Sequence, residues 1–467
     1  MSNNEKDLQK IIEWAIKNEV HDSRLPRDID ALAALKDLTI GANVRSVPKE
    51  IGSLLNLKSL EIIGQGIRKL PDSIGNLTNL TSLKITNTNI ATLPKSIENL
   101  TNLTKLDIRA NFKLTTIPET IGNLQNLAFL EIGNTCVDTL PDSIGNLLNL
   151  NDLKIWGNRL TYLPESIGNL NKLTNLSIRS EKVTQLPESI GNLQSLTNLE
   201  ISYNSKLTTI PETIGNLRNL TSLEISRNYE VTTIPETIGN LANLTNLFIG
   251  NDEKTQIPDS VGHLANLKKL IIWGDRFTKI PDSISNLTNL TELAVRAFVL
   301  PDWVSNFTNL TTLSAYDVKL PESIVNLKNL TTLDVGGGFD ELPEIITKLA
   351  NLTSLTIYSQ NLSQLPESFD KLINLTDLTI TCEKLSQLPK SIGSLTNLAK
   401  LKISSKELTC IPESIGNISS LQELNVEECD SLEKLPTELK NLKTLESLKI
   451  PYKLESVSDN YDEESDD

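Results

Sequence analysis

A chain of 467 residues has room for several domains, but 4% aromatic residues and a single methionine, Met1, leave leucine and isoleucine to build a monotonous core. With 59 acidic against 44 basic residues, a formal charge of -15 opposes phosphate binding through counterion release, so no nucleic acid is expected as a partner. No run of about 20 apolar residues occurs and the opening MSNNEKDLQK is polar, so no membrane span or secretory signal is expected; the expected location is cytoplasmic, with delivery into a host cell without a cleaved signal left open.

From the N-terminus, the segment EKDLQKIIEWAIKNE (5–19) sets Leu8, Ile11, Ile12 and Ile16 at helical spacing beside Trp14. Residues 1–24 are predicted to be a helix that caps whatever follows. From there a repeat takes over. Nineteen of the twenty prolines are in phase, at 26, 48, 71, 94, 118 and onward to 436, mostly 23 or 24 residues apart, each after Leu, Ile or Val. The run L-x-x-L-x-[IVA] recurs with them from Leu35, Leu57 and Leu80 to Leu445, giving nineteen candidate strands.

Within Leu80–Ile85 a two-residue period turns Leu83 and Ile85 to one face and Ser82 and Lys84 to the other. Pro71 cannot donate to a ladder but suits the first turn of a helical segment, where Ile74, Leu77 and Leu80 fall on one side of a short helical or 3-10 stretch. One repeat cannot bury its own leucines, so the repeats must stack. The predicted fold is therefore an α/β repeat solenoid over residues 25–452, with a parallel β-sheet on a concave face and short helical or 3-10 segments on a convex one. Nineteen strands about 4.8 Å apart imply an inner arc on the order of 85 Å.

The unit LPxSIGNLxNLxxLxIxxN resembles the 23-residue form of the leucine-rich-repeat superfamily, in particular bacterial intracellular repeat proteins and the plant intracellular Ras-group-related class. The resemblance implies a leucine-rich-repeat horseshoe and a protein-interaction role, and says almost nothing of the ligand. The family's asparagine column is met at Asn43, Asn111, Asn158, Asn204 and Asn228, and replaced by Thr88, Glu181, Asp252 and Asp275 elsewhere. Cys429 stands in that column; it and Cys136, Cys382 and Cys410 read as reduced thiols.

Between Pro281 and Pro343 the proline intervals fall to 20, 20 and 22, which shortens the loop after the strand and should alter the local curvature. This stretch holds Ala297-Phe298-Val299-Leu300, Trp303 and Gly336-Gly337-Gly338. The glycines lack the Lys-Ser/Thr of a phosphate loop, so tight packing or a specificity feature are the two readings. Beyond Ile450, residues 453–467 form an acidic tail expected to be disordered and able to attract a basic partner.

Nothing in the pattern points to catalysis. The two histidines, His21 and His263, have no Cys or Ser partner indicated by spacing, the acids after each proline fit turn starts, and no cofactor or metal is expected. The ubiquitin-ligase, kinase and GTPase domains that accompany some family members have no room in a chain filled by repeats. Asn76-Leu77-Thr78 and Asn79-Leu80-Thr81 resemble glycosylation acceptors, but a glycan there would break the leucine stack.

The outward strand positions carry the information. Counting the first leucine of L-x-x-L-x-I as one, positions three, five, seven and eight hold eight of the nineteen aromatics: Phe129, Trp156, Tyr203, Phe248, Trp273, Tyr316, Tyr358 and Tyr452. Arg109, Arg179, Arg227 and Arg296 join them. Trp, Tyr and Arg dominate protein-binding hot spots, so Arg109, Trp156, Arg179, Tyr203, Arg227, Phe248, Trp273, Arg296, Tyr316 and Tyr358 are the candidate partner-binding residues. In the competing reading Arg179 and Arg227 pair with Glu200 and Glu224, while Trp156 and Trp273 lie over adjacent glycines. The expected function is a monomeric scaffold that binds a protein partner; an inhibitor covering a partner enzyme is the alternative.

Overall fold

Alternation along L-x-x-L-x-I produces a short strand in each repeat. Ser82–Thr86 buries Leu83 and Ile85 and leaves Ser82, Lys84 and Thr86 partly exposed. The computed structural model describes residues 3–41, 43–251, 255–277, 280–297 and 299–454. The acidic tail from residue 455, Asp252, Phe298 and the side chain of Asp275 lie outside the described residues. The chain divides into two units, residues 1–264 and 265–467.

In the first unit the described strands run from Asp37–Ile40 to Asn246–Gly250, all parallel and in register, so that Leu83 stands between Leu60 and Leu106. The chain returns between strands through 3-10 turns. Pro71 (φ −73°, ψ 147°) sits just before the turn Asp72–Asn76 rather than inside it, and the Ile74 N–H donates to Pro71 O at 3.1 Å. The Leu77 and Leu80 amides continue the three-residue step to Ile74 O and Leu77 O. That step aligns Ile74, Leu77 and Leu80, which with Leu70, Leu83, Ile85 and Ile90 are at most 1% exposed. Seven aliphatic side chains per repeat thus lie against the repeats on either side.

Backbone approach on the turn side is set by the glycine of S-I-G-N. A Cβ on Gly122 would lie 2.5 Å from Ser143 O in the next repeat. The acid after proline acts across the same gap: Glu119, Glu165 and Glu236 accept from the backbone N–H of Ser143, Ser189 and Ser260 at 3.3, 3.0 and 3.3 Å, capping the next turn rather than their own.

Two polar ladders run through this unit. In the first, the second asparagine of NLxNL reaches back one repeat: Asn79, Asn102 and Asn126 donate to Leu55 O, Thr78 O and Thr101 O at 2.9, 2.8 and 2.7 Å. The Thr81 hydroxyl donates to Lys58 O at 3.0 Å, so Asn79-Leu80-Thr81 is a structural triplet. The second ladder is buried. Asn228 accepts from both the backbone N–H and the side-chain amide of Asn204 (3.0 Å each) and donates to Ile201 O at 2.8 Å, while Asn111 and Asn158 serve Thr88 and Thr135 in the same way. Three places depart from the expected column. Asn43 is exposed; at Glu181 the preceding Ser180 is buried instead, its hydroxyl donating to Asn158 O and Leu160 O; and ahead of Asp252 it is Asn251 that is buried and accepts from the Asn228 N–H at 3.0 Å.

Helix α1 (Asn3–Lys17) packs Leu8, Ile11, Ile12 and Ala15 against the first repeats, and Trp14 Nε1 donates to Ser46 O at 3.1 Å. Ile16, expected on the buried face, is 61% exposed, because the face is centred one residue earlier, on Ala15. His21 Nδ1 lies 2.8 Å from the Ser23 hydroxyl, a contact the spacing did not suggest; the Ser23 backbone N–H points at the same nitrogen, so the ring closes an exposed turn.

In the second unit the described strands run in parallel from Lys269–Phe277 to Ser447–Lys449. The short repeats lose residues between strand and proline: eight positions separate Thr86 from Pro94, but five separate Arg296 from Pro301. Where S-I-G-N has glycine, successive repeats here carry Ser285, Ser305, Val325, Thr347 and Asp370. Phe307 and Phe369 fill core positions held elsewhere by leucine and isoleucine, and Trp303 meets Phe307 edge-on, ring centres 5.6 Å apart. Cys429 occupies the asparagine place as expected: its buried thiol donates to Ile403 O at 3.4 Å, and burial pushes its pKa up to about 11. Tyr452 follows the last strand and is 87% exposed.

Two outcomes are expected in urea unfolding. Gly122→Ala forces adjacent turns apart and costs about 1–3 kcal/mol, whereas Val325→Ala, at the equivalent place where no glycine is needed, costs about 0.5 kcal/mol or less. Asn228→Ala strands the buried backbone N–H of Asn204 and the carbonyl of Ile201 and costs about 2–3 kcal/mol, against about 1 kcal/mol for exposed Asn219→Ala.

Candidate functional site

Strand register places Arg109, Gly133, Trp156 and Arg179 in one row on the outward face of the first unit. Arg109 binds Asp107 through Nε and Nη2, both at 2.7 Å, and approaches Glu131 at 3.7 Å. Trp156 lies flat on Gly133, where a Cβ would fall 2.6 Å from Cζ2, and its Nε1 donates to Glu131 at 2.8 Å. Glu131 therefore joins two predicted residues, though nothing in the repeat pattern singled it out. Burial pushes the neighbouring Asp152 carboxyl up; Lys154 opposes this and Glu131 adds to it.

Arg179 behaves as the self-contained reading expects, with Nε on Glu200 at 2.5 Å. Burial disfavours the Glu200 carboxylate, but hydrogen bonds from Arg179, Ser202 and Ser177 outweigh it and hold its pKa below the ordinary value. Arg227 does not pair with Glu224, which accepts instead from Ser226 at 2.6 Å. Its guanidinium lies 4.6 Å from the Tyr203 ring centre and donates to the Tyr203 hydroxyl. The Phe248 ring lies where a Gly250 side chain would be.

Tyr203 and Arg227 share an unusual backbone. Both follow a strand in the left-handed region (φ 56° and 54°), as do Asn87, Asn134 and Gly157 in equivalent places. Their amides donate to Ser226 O and Gly250 O of the next repeat, a geometry that Asn and Gly accept easily and that costs Tyr or Arg about 1–2 kcal/mol.

In the second unit three aromatic residues converge. Trp273 and Tyr316 have ring centres 5.1 Å apart at 47°, and Tyr316 and Tyr358 lie 6.2 Å apart at 30°. Trp273 therefore rests on Tyr316 and not on a glycine. The glycine serves Tyr316, whose ring lies where a Gly336 side chain would be. Arg296, on the intervening strand, turns its Nε to Asp317 at 2.9 Å. Trp273 and Tyr358 keep 38% and 41% of their surface exposed, and burial pushes the Tyr316 hydroxyl up to about 12, with Asp334 adding to the effect. A hollow of about 560 Å³ adjoins Tyr358, between the pair Arg296–Asp317 and the pair Lys406–Glu383. Among the described residues no group of three or more His, Cys, Asp or Glu is placed to hold a metal ion, and no helix is long and apolar enough to cross a membrane.

Comparison with known proteins matches this geometry to a family. A family model for the leucine-rich repeat region matches residues 15–115, 117–226 and 355–466. The chain is similar to the solved structure of a leucine-rich-repeat protein of Leptospira interrogans, 32% identical over 82% of this chain and 95% of that one, with a TM-score of 0.65. It shares its fold with TLR13, solved in complex with a single-stranded RNA (22% identity, 89% and 62% of the two chains, TM-score 0.66). It also shares it with the functional domain of InlJ from Listeria monocytogenes (22%, 80% and 72%, TM-score 0.51). No curated protein matches the sequence. From repeat, register and likeness together, the chain belongs to the leucine-rich-repeat family.

Proposed function

We propose that the chain is a protein-interaction module that binds a protein partner on its outward strand faces. The observation that carries this reading is the group Trp273, Tyr316 and Tyr358, large rings in contact on the outward face, two of them open to solvent. Rings of this kind bury large areas on binding at little cost in side-chain entropy. The exposed pair Tyr203 and Arg227 supports it, since at this left-handed position only the backbone amide serves the next repeat and side chains of this size are not needed for it. Glu200, Glu131 and Asp107 among the arginines favour a protein over a polyanion, in line with the charge of -15.

The test is affinity capture with the full chain against Trp156→Ala/Trp273→Ala. A protein retained by the native chain and lost by the double variant, with unchanged melting temperature, is the expected result; an unchanged set of captured proteins contradicts the reading. Assay of the captured protein's own activity in the presence of the chain then separates a scaffold, which leaves it unchanged, from an inhibitor, which lowers it.

A further inference from the structure

Two outward rings of the first unit carry cations from the chain itself: Lys105 and Lys154 lie 5.0 and 5.4 Å from the Phe129 ring centre, and Arg227 lies 4.6 Å from that of Tyr203. Trp273, Tyr316 and Tyr358 in the second unit lie against one another, and Trp273 and Tyr358 are open to solvent.

Charge points the same way. Around this platform the acids Glu292 and Asp317 are neutralised by Lys269 (2.6 Å) and Arg296 (2.9 Å). Asp334 is not. It is half-buried on the strand next to Tyr316, in register with Ser314, whose hydroxyl donates to it at 2.9 Å, and no cation pairs with it among the described residues. An aromatic surface with a carboxylate at its edge matches a guanidinium, whose face stacks on a ring while its N–H groups point outward in its plane.

We propose that Trp273, Tyr316 and Tyr358, with Asp334, form the receptor for an arginine side chain on a basic segment of the protein partner. The proposal rests on the protein-binding reading and narrows it: the partner presents arginine rather than an acidic or apolar anchor. Asp334 becomes the residue that selects arginine, and the three rings supply the platform. The overall charge of -15 assists the approach of a basic segment.

The probe is a fluorescein-labelled peptide of alternating glycine and arginine, titrated into the full chain at about 0.15 M salt, where long-range attraction is largely screened. Peptides with lysine or glutamate in place of arginine serve as comparisons. The arginine peptide is expected to bind more tightly than the lysine peptide, and the glutamate peptide not at all. Asp334→Asn and Trp273→Ala are each expected to weaken arginine binding about tenfold, in the range of one charge-assisted or cation–aromatic contact. Glu438→Gln, which removes the same charge from a 3-10 turn, is expected to leave it unchanged. Equal weakening by Asp334→Asn and Glu438→Gln would mean charge alone and overturns the proposal, as does no binding by the native chain. If a protein partner is nonetheless captured through Trp273, the interaction reading stands and the arginine assignment falls. Melting temperatures of all variants report folding, and Asp334→Asn, which leaves all three rings in place, carries the test should Trp273→Ala be unstable.

Discussion

The interaction on which everything else depends is lateral burial of aliphatic side chains between one repeat and the next. Leu83 has no core of its own; it is covered by Leu60 and Leu106 in register and by the turn leucines beside it. A chain held this way is a sum of neighbour contacts, so each repeat must present the same apolar pattern inward and is free to differ outward. The outward strand positions are thus free to vary without cost to stacking.

Polar groups obey the same neighbour rule. Asparagine, threonine and glutamate recur because each satisfies a backbone group one repeat away: Asn79 at Leu55 O, Thr81 at Lys58 O, Glu119 at the Ser143 amide. These bonds keep the buried backbone of short strands and 3-10 turns from being left unpaired. Against that economy, Tyr203 and Arg227 in the left-handed region and the open rings of Trp273, Tyr316 and Tyr358 stand out, since no inter-repeat bond needs those side chains.

The fold was legible because its period is repeated so often that local ambiguity cancels: L-x-x-L-x-I and the phased prolines mark the strands and turns almost to the residue. Side-chain partnerships were less so. Trp156 over Gly133 and Arg179 on Glu200 follow from register, but Arg227 chose the Tyr203 ring over Glu224, and Trp273 chose Tyr316 over a glycine. In each case two neighbours lie within reach and rotamer packing decides between them, which spacing does not encode. Glu131 and Asp334 were missed for a related reason: a carboxylate on an exposed strand face looks alike in sequence whether it joins two side chains or stands without a cation. The displacement of the buried helix face from Ile16 to Ala15 reflects docking against the first repeats, a tertiary choice the helical period leaves open by about one residue.

The most direct test of neighbour-dependent burial is circular dichroism of fragments holding one, three and six consecutive repeats cut from residues 70–210, read with thermal melting. A single repeat without sheet signal, and melting temperatures that climb with repeat number, are the expected result. A single repeat that folds alone, or a melting temperature independent of length, contradicts the account.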